Sequence, residues 1–416
     1  MRRSDLSLLK LPKFRRLFAA RTISILGSAF TPIALAFGVL DLPGAGAPEL
    51  ALVLTVESLA TLVTVLLGGV LGDRFRPTRI LMLGESLAAI SVGAMGFLFI
   101  SGTATAPLLA VLGAFGGGAA GLLMPVLAGI VPETAPADRL KSANALLQLT
   151  STSMQIGGSA LAGILVAHIG SGWTLMIDAA SFLLAVWIVA GIRTERRERT
   201  ASRFLHELRV GWRGFISFTW IWATTLAATL WVGAFHAGFG LLGPVVAKSA
   251  YGGARGWSLV LAGFSIGGVL GTFVAARIHP RRPMVVVTAL FQPGALFILL
   301  LALPATLPWM IVAAIGLGVS FSVLMVLWNT LLQVHVPPDL LARVASYDYL
   351  GSGAAMPLAT AIVGSAVAGF GLRPTIVACT VVMVLAGLEP LLVRDVWRVG
   401  LEPDPERTPT PTSAPV

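Results

Sequence analysis

The sequence GGVLGDRFRPTR, residues 68–79, separates two long apolar runs and decides how the chain can fold. The run before it begins at Leu50, and the run after it extends from Ile80 to Ile100. Between the two runs lie one aspartate and three arginines, in a segment too short to form a domain. A charged turn between two apolar segments of about 20 residues is typical of a tight loop at a membrane surface. We therefore predict that residues 68–79 join the second and third helices of a membrane protein.

The composition of the whole chain supports this prediction. Of the 416 residues, 56% are hydrophobic and only 12% are charged, whereas a soluble domain has about 25% charged residues. Such a chain cannot cover a water-facing surface with charge. Continuous apolar runs of about 20 residues favour membrane helices over barrel strands, which alternate polar and apolar residues. Because Cys379 is the single cysteine, an intramolecular disulfide and a cysteine-based metal site are excluded.

The apolar runs predict an all-α polytopic protein with twelve transmembrane helices. Their predicted bounds are 17–40, 50–72, 80–101, 106–130, 143–168, 173–192, 220–246, 256–277, 284–303, 307–333, 347–369 and 373–394. We expect an N-terminal six-helix half, a cytoplasmic linker with an amphipathic helix, a C-terminal six-helix half and a disordered, Pro/Thr-rich cytoplasmic tail. These four regions span residues 1–192, 193–219, 220–395 and 396–416.

Lysine and arginine are distributed unevenly between the predicted loops. If both termini are cytoplasmic, all but three of the 29 basic residues fall on the cytoplasmic side; the exceptions are Lys248, Arg255 and Arg373. The positive-inside rule therefore predicts cytoplasmic N and C termini. Abundant alanine, glycine and arginine are typical of a GC-rich bacterium, so we expect the bacterial inner or plasma membrane. We attribute the net charge of +10 to the basic residues on the cytoplasmic side, and we expect no nucleic-acid partner.

The two predicted halves repeat one another at a fixed offset. Residues 136–140, PADRL, precede predicted helix five, and residues 337–341, PPDLL, precede predicted helix eleven. The offset is 201 residues, and Gly163 and Gly364 keep it. Two six-helix halves in the same orientation are parallel repeats.

Several short motifs occur in order at the expected helices. They are FRxLF at residues 14–18, GxLGDR at 69–74, ANAL at 143–146, DAxSF at 178–182 and NTLLQ at 329–333. Together they resemble the major facilitator superfamily, in the branch that includes the enterobactin exporter and macrolide efflux proteins. The branch often carries an acid where this chain has Ser28, and the antiporter pattern GPxxGG of helix five reads GSALAG at residues 158–163. The second departure weakens the inference of antiport but leaves the inferred fold unchanged.

Asp73, Arg74, Arg76 and Arg79 form the charged loop and are the predicted gate. The resemblance implies that Asp73 pairs across the interface between the halves and holds the cytoplasmic side closed. A charge pair at an interface that separates during rocking is a two-state element. The alternative interpretation is that the loop is a solvated turn without a gating role, because exposed ion pairs contribute only about 0–1 kcal/mol to stability.

Three acids inside predicted helices are candidates for proton coupling: Glu57, Asp178 and Glu85. A charge at the bilayer centre costs about 2.5–3.5 kcal/mol of free energy on insertion scales. We therefore expect each of these acids to have a structural or functional role. Glu57 is the deepest, and it shares one helical face with Thr61 and Thr64. The alternative for Glu57 is a hydrogen bond to a neighbouring helix. For Asp178 a structural hydrogen bond is favoured, and Glu85 is expected to join the gate if one of the loop arginines is its partner.

Two aromatic and apolar series are the remaining candidates for the substrate cavity. Trp231, Phe235 and Phe239 recur every four residues on predicted helix seven, as do Phe321, Met325 and Asn329 on predicted helix ten. Together with Thr61 and Thr64, these six residues are the candidates for a pocket that binds an amphipathic substrate. Lipid contact or core packing is the commoner role of such series.

The sequence motifs give no support for an enzyme. Residues 263–267, GFSIG, fit the G-x-S-x-G pattern, but that pattern requires a strand-to-helix turn, and here it indicates close helix packing. The sequence contains neither H-E-x-x-H nor G-x-x-x-x-G-K-[ST], so we predict no enzyme, no metal and no cofactor.

We expect a monomeric secondary transporter in the lipid bilayer that exports a small amphipathic molecule, drug-like or siderophore-like, by proton antiport. Two alternatives are a proton symporter for uptake of a small solute and a non-transporting membrane interaction subunit.

Overall fold

The computed structural model describes residues 7–74, 76–136, 139–192, 204–303 and 305–400. Within these ranges every regular element is helical. The α-helices are Pro12–Ser28, Thr31–Leu40, Ala47–Arg74, Pro77–Ser101, Ala106–Thr134, Leu140–Ala190, Phe204–Ser217, Thr219–His236, Gly243–Ala250, Ala254–Ala275, Pro283–Ala289, Gln292–Leu300, Leu307–His335, Pro338–Gly353, Met356–Phe370 and Leu372–Leu388. A π-helical turn covers Ala237–Leu242, and 3-10 turns cover Ser7–Lys10, Glu389–Leu392 and Arg394–Trp397.

Eleven helical segments of the described chain are long and apolar enough to span a membrane. One of them belongs to the 51-residue helix Leu140–Ala190, whose straight length of about 77 Å would exceed twice the bilayer core. Gly170 breaks this helix with a positive φ of 81°, so it crosses twice and the predicted twelve crossings are confirmed. In chain order the crossings are Pro12–Leu40, Ala47–Arg74, Pro77–Ser101, Ala106–Thr134, 140–169, 171–190, Thr219–Ala250, Ala254–Ala275, Pro283–Leu300, Leu307–His335, Arg343–Phe370 and Leu372–Leu392.

Four crossings are interrupted, although the sequence predicted each of them as one continuous helix. The interruptions lie just before Pro32, Pro244, Pro293 and Pro357. Proline lacks an N–H group and its ring clashes with the preceding turn, so the helix ladder breaks there. In the seventh crossing the interruption takes the form of the π-helical turn, a feature that often marks functional sites.

The two halves of the bundle are built in the same way. The second crossing packs against the fourth, and the eighth packs against the tenth. The turns after the fifth and eleventh crossings are also equivalent, because Gly170 and Gly371 lie 201 positions apart and have φ values of 81° and 88°. Such positive φ angles favour glycine. The predicted parallel six-helix repeats are therefore confirmed.

The region between the halves contains the helix Phe204–Ser217, here called the linker helix. Trp212 and Phe215 of this helix contact the ring of Tyr347, with ring centroids 5.5 Å and 6.0 Å apart. The linker helix thus packs on the first part of the eleventh crossing. Part of the predicted linker, 193–203, and most of the predicted tail, 401–416, lie outside the described residues.

The two ends of the bundle differ in charge. The end at which the first crossing begins is here called the arginine-rich end, and it includes Arg15, Arg79, Arg139 and Arg282. At the opposite end lie the turns around Leu42, Gly170 and Tyr251.

Candidate functional site

A cavity of about 560 Å³ lies between the first, fourth and fifth crossings, toward the arginine-rich end. Its size is typical of a pocket for a small molecule. The first crossing contributes three residues to the wall at a spacing of four, and the fifth contributes a stripe of neutral polar residues. The lining is Leu17, Arg21, Ile25, Ile130, Val131, Asn144, Ala145, Leu147, Gln148 and Ser151.

The two halves meet at the opposite end of the bundle. Gly163 of the fifth crossing packs against Ser258 of the eighth, and Gly364 of the eleventh packs against Ala51 of the second. In both places the missing side chain of glycine lets two backbones approach closely. These contacts join the N-terminal and C-terminal halves at the face away from the cavity.

Polar side chains reinforce this closed end. Lys248 Nζ lies 2.9 Å from Asp41 Oδ1 and also donates a hydrogen bond to the carbonyl oxygen of Leu40. A guanidinium nitrogen of Arg255 lies 3.1 Å from His168 Nε2. Both pairs connect one half with the other. Sequence reasoning missed them, because the partners come from separate halves and nothing in the local sequence links them.

The ion pair between Asp41 and Lys248 predicts an effect on opening at this end. Both side chains are substantially exposed, so the pair contributes no more than about 1 kcal/mol. We expect Lys248→Gln to raise the population open at this end by up to about fivefold, and less at high salt because ions screen exposed charges. The measurement is the rate at which an impermeant maleimide labels a cysteine replacing Ala51, with Cys379 replaced by serine.

Arg373→Gln is the matched control for this prediction, because Arg373 lies at the same end and the described residues give it no ion-pair partner. Equal labelling rates in Lys248→Gln and in the unmodified background would contradict a role for the pair in holding this end closed.

Glu85 of the third crossing is buried behind the cavity wall. Its carboxylate accepts hydrogen bonds from Ser24 at 2.9 Å and 3.1 Å, and Arg21 Nη1 lies 3.6 Å away. The sequence offered Arg74, Arg76 and Arg79 as possible partners of Glu85, and for Arg21, early in the first predicted helix, it favoured a side chain that reaches the membrane surface over one that faces the cavity. Within the described part of the chain, the partner of Glu85 is Arg21, and Arg21 lines the cavity.

Asp178 of the sixth crossing is fully buried against the first crossing. Thr31 donates a hydrogen bond to one carboxylate oxygen, and Ser181 donates to the other at 3.2 Å. Gly27 lies against the same carboxylate, where a larger residue would clash with it. Asp178 therefore ties the first crossing to the sixth.

Glu57 lies half-buried in the second crossing, and its side-chain carboxyl group has no hydrogen bond or ion pair within the described residues. Thr61 and Thr64 follow it on the same face, and their hydroxyls donate to the carbonyl oxygens of Glu57 and Ala60 at 2.9 Å and 2.7 Å. This face lies against the fourth crossing, whose glycines Gly117 and Gly121 meet the backbone of Glu57 and Thr61. The polar stripe is thus at the seam between the second and fourth crossings.

The aromatic series of the seventh crossing forms a connected cluster. Trp231 stacks on Phe235 with ring centroids 4.9 Å apart, and Phe235 stacks on Phe239 at 5.2 Å. Phe264 of the eighth crossing lies 5.5 Å from Phe239 and 6.0 Å from Phe321, so it joins the two predicted series. Sequence reasoning missed Phe264, although it lies within the GFSIG segment noted for helix packing.

The remaining predicted residues have simpler surroundings. Trp231 is buried and donates to the carbonyl oxygen of Phe291 at 3.1 Å. Met325 and Asn329 are exposed on the tenth crossing, and Asn329 donates to the carbonyl oxygen of Met325 at 2.8 Å. None of these contacts involves a residue that lines the cavity.

The predicted gate is only partly described. Arg76 and Arg79 are exposed, and Arg76 precedes the first turn of the third crossing. The side chains of Asp73 and Arg74 lie outside the described part of the structure, as does Phe75. The role of this loop therefore stays a prediction. Among the residues that the structure describes, no group of three or more potential ligands is arranged to hold a metal ion.

Known transporters share both the sequence pattern and the fold. The chain is 27% identical to the multidrug efflux pump Tap of Mycolicibacterium fortuitum over 394 residues, covering 89% of this chain and 93% of that protein. It is 25% identical to the enterobactin exporter EntS of Salmonella typhimurium over 404 residues, covering 92% and 95%. These relatives are transporters and not enzymes.

Solved structures give the same fold. A bacterial homologue of the human lysosomal transporter Spinster, in an inward-facing and unoccupied conformation, superposes with a TM-score of 0.72 at 16% identity, covering 92% of this chain and 97% of that one. The nucleoside transporter NupG superposes with a TM-score of 0.69 at 13% identity, covering 92% and 98%. The model of the Major Facilitator Superfamily matches residues 17–360. With its twelve crossings in two parallel halves, the chain belongs to the Major Facilitator Superfamily.

Proposed function

We propose that this chain exports small amphipathic molecules from the cytoplasm by alternating access, driven by proton entry. The observation that carries the proposal is the asymmetry of the bundle. A cavity of about 560 Å³ lies toward the arginine-rich end, while glycine contacts and an ion pair join the halves at the opposite end. Rocking of the two halves against one another exchanges the end of the bundle that is open.

In this proposal, the distribution of positive charge identifies which face of the bundle is cytoplasmic. All but three of the lysines and arginines belong to the side that carries both termini in the predicted topology, and that side is cytoplasmic by the positive-inside rule. The cavity then faces the cytoplasm, where an exporter loads its substrate. The names of the relatives, a multidrug efflux pump and an enterobactin exporter, support the export direction. We place the chain, as a monomer, in the bacterial inner or plasma membrane.

Glu57 is the first candidate for the proton carrier. It is a carboxyl group inside a crossing without a hydrogen bond or ion pair among the described residues, so its charge is not compensated locally. An uncompensated acid at this depth is costly and is a functional candidate for that reason. Glu85 and Asp178 remain further candidates, but each already accepts two side-chain hydrogen bonds.

The remaining predicted residues have proposed roles in gating and substrate contact. Asp73, together with the arginines of its loop, closes the cytoplasmic side in the outward-open state. The cluster of Phe235, Phe239 and Phe321 lines the path of the apolar part of the substrate. Half-buried aromatic rings suit this role because they offer a large contact area to a flat apolar molecule.

The proposal predicts a loss of dye export in Glu57→Gln. Cells that express the wild-type chain should accumulate less of an amphipathic dye than control cells, within a panel of ethidium, rhodamine 123 and fluorescein. The glutamine variant and a protonophore should each abolish at least about 90% of this difference, because glutamine has no proton to exchange. Accumulation is measured by cell fluorescence.

Glu49→Gln is the matched control, because Glu49 lies in the first turn of the same crossing and accepts a hydrogen bond from the backbone of Gly46. It should retain export. Export that persists in Glu57→Gln but stops with the protonophore would remove Glu57 from the mechanism and leave proton coupling. Equal accumulation of every dye in all cells would refute export of amphipathic molecules of this kind.

A further inference from the structure

Arg21 is a charged residue of the cavity wall. It lies in the third turn of the first crossing, and its side chain is 21% exposed, whereas that of its partner Glu85 is only 2% exposed. The guanidinium therefore faces the cavity and the carboxylate lies behind it in the protein. The pair is a dipole whose positive end is presented to whatever occupies the cavity.

The hydrogen-bond donors of Arg21 are largely unused. A guanidinium group has five N–H donors, but its contact with Glu85 Oε1 measures 3.6 Å, which is too long for a hydrogen bond. The described residues accept no hydrogen bond from Arg21. Glu85, in contrast, already accepts two hydrogen bonds from Ser24. The carboxylate is thus held by its neighbour, while no described residue takes up the donors of the arginine, which can bind a ligand.

Among the described residues, the rest of the cavity wall offers Arg21 no competing acid. The fifth crossing contributes Asn144, Gln148 and Ser151, which recur on one helical face and are all neutral. The other described lining residues are apolar, and none of the lining residues that the structure describes carries a carboxylate. A molecule in this cavity therefore meets the positive charge of Arg21, several neutral polar groups and an apolar surface.

We infer that the cavity selects amphipathic molecules that carry an anionic group, and that Arg21 recognises this group. A planar anion such as a carboxylate accepts two parallel hydrogen bonds from a guanidinium. An organic cation at the same place meets a like charge, which excludes it. The inference rests on the proposed export function and adds the charge of the substrate to it.

The test compares two dyes with the same ring system and opposite charge. Fluorescein is anionic at neutral pH, whereas rhodamine 123 is cationic. Binding to the purified full-length chain in lipid nanodiscs is measured by fluorescence polarisation. The wild-type chain should bind fluorescein at least about tenfold more tightly than rhodamine 123, and Arg21→Gln should lose about tenfold or more in fluorescein affinity with no loss for rhodamine 123.

Three further variants separate recognition from damage to the fold. Arg15→Gln is the matched control, because Arg15 is exposed on the same helix outside the cavity, and it should bind both dyes like the wild type. Arg21→Lys should recover part of the affinity, since lysine keeps the charge but not the paired donors. Glu85→Gln should raise fluorescein affinity severalfold, because it removes the negative end of the dipole.

The outcomes distinguish this inference from the proposed function. Fluorescein binding that is no tighter than rhodamine 123 binding, or that survives in Arg21→Gln, overturns the inference. A loss in Glu85→Gln as large as that in Arg21→Gln also overturns it, because the pair would then act only in the fold. Extrusion from vesicles is scored separately: fluorescein that binds as expected but is never extruded refutes export and leaves recognition by Arg21 standing.

Discussion

Gly267→Leu should prevent the chain from folding into a stable bundle. Gly267 faces the tenth crossing, and any side chain there would clash with the backbone carbonyl of Ile315. Backbone atoms cannot turn away as a flexible side chain can, so the eighth and tenth crossings would have to separate. An overpacked core typically lowers the free energy of unfolding by about 1–3 kcal/mol, and we expect Gly267→Leu to lower it by more.

The neighbouring glycine provides the control for this substitution. A side-chain carbon added at Gly268 would meet no atom within 4 Å, so Gly268→Leu should fold and elute as the wild type does. The measurement is the amount of monodisperse protein in size-exclusion chromatography, followed along a temperature series. Equal melting of the two variants would show that the close approach of the eighth and tenth crossings is not needed for stability.

Much of the fold could be predicted from the sequence because a membrane imposes strict conditions. Backbone groups in lipid must be satisfied within a helix, so each apolar run of sufficient length gave one crossing. The repeat was also visible, since Gly163 and Gly364 keep the 201-residue offset. The structure gives this offset a physical reason. Each of these glycines lets its crossing approach the other half, Gly163 at Ser258 and Gly364 at Ala51.

The site was harder to predict, because depth in the membrane does not determine the direction in which a side chain points. Glu85 was identified as a buried acid, but its pairing with Arg21 depends on the rotation and tilt of the first and third crossings. Thr61 and Thr64 were correctly placed on one face with Glu57, yet periodicity alone does not show which helix lies against that face. In the structure it is the fourth crossing, and its glycines are what permit the contact.

Interruptions within the crossings were also missed, although prolines marked them. A run of apolar residues containing one proline still reads as a single span, since both parts have the same hydropathy. The first, seventh, ninth and eleventh crossings show that the proline breaks the ladder without ending the span. In lipid the neighbouring helices satisfy the groups that the break releases.

Cross-linking the halves at the opposite end should abolish transport reversibly. Alternating access requires the fifth and eighth crossings to separate there, and Gly163 and Ser258 are in contact in this structure. With Gly163→Cys and Ser258→Cys combined in a Cys379→Ser background, oxidation should form a disulfide that fixes this end closed. A Cβ at Gly163 would lie 2.5 Å from Ser258 Cβ, so the helices need only separate by about 1 Å to reach disulfide geometry.

We expect the oxidised double variant to lose at least about 90% of dye export and the reduced one to regain it, because a covalent bond holds the fifth and eighth crossings together at that end. The single variant Ser258→Cys is the control and should export under both conditions. A cysteine introduced in place of Gln148 should stay open to labelling from the arginine-rich end in the oxidised state, since the cavity there remains accessible. Full export by the oxidised, fully cross-linked protein would mean that this end does not open during transport, and alternating access between these two faces would be wrong.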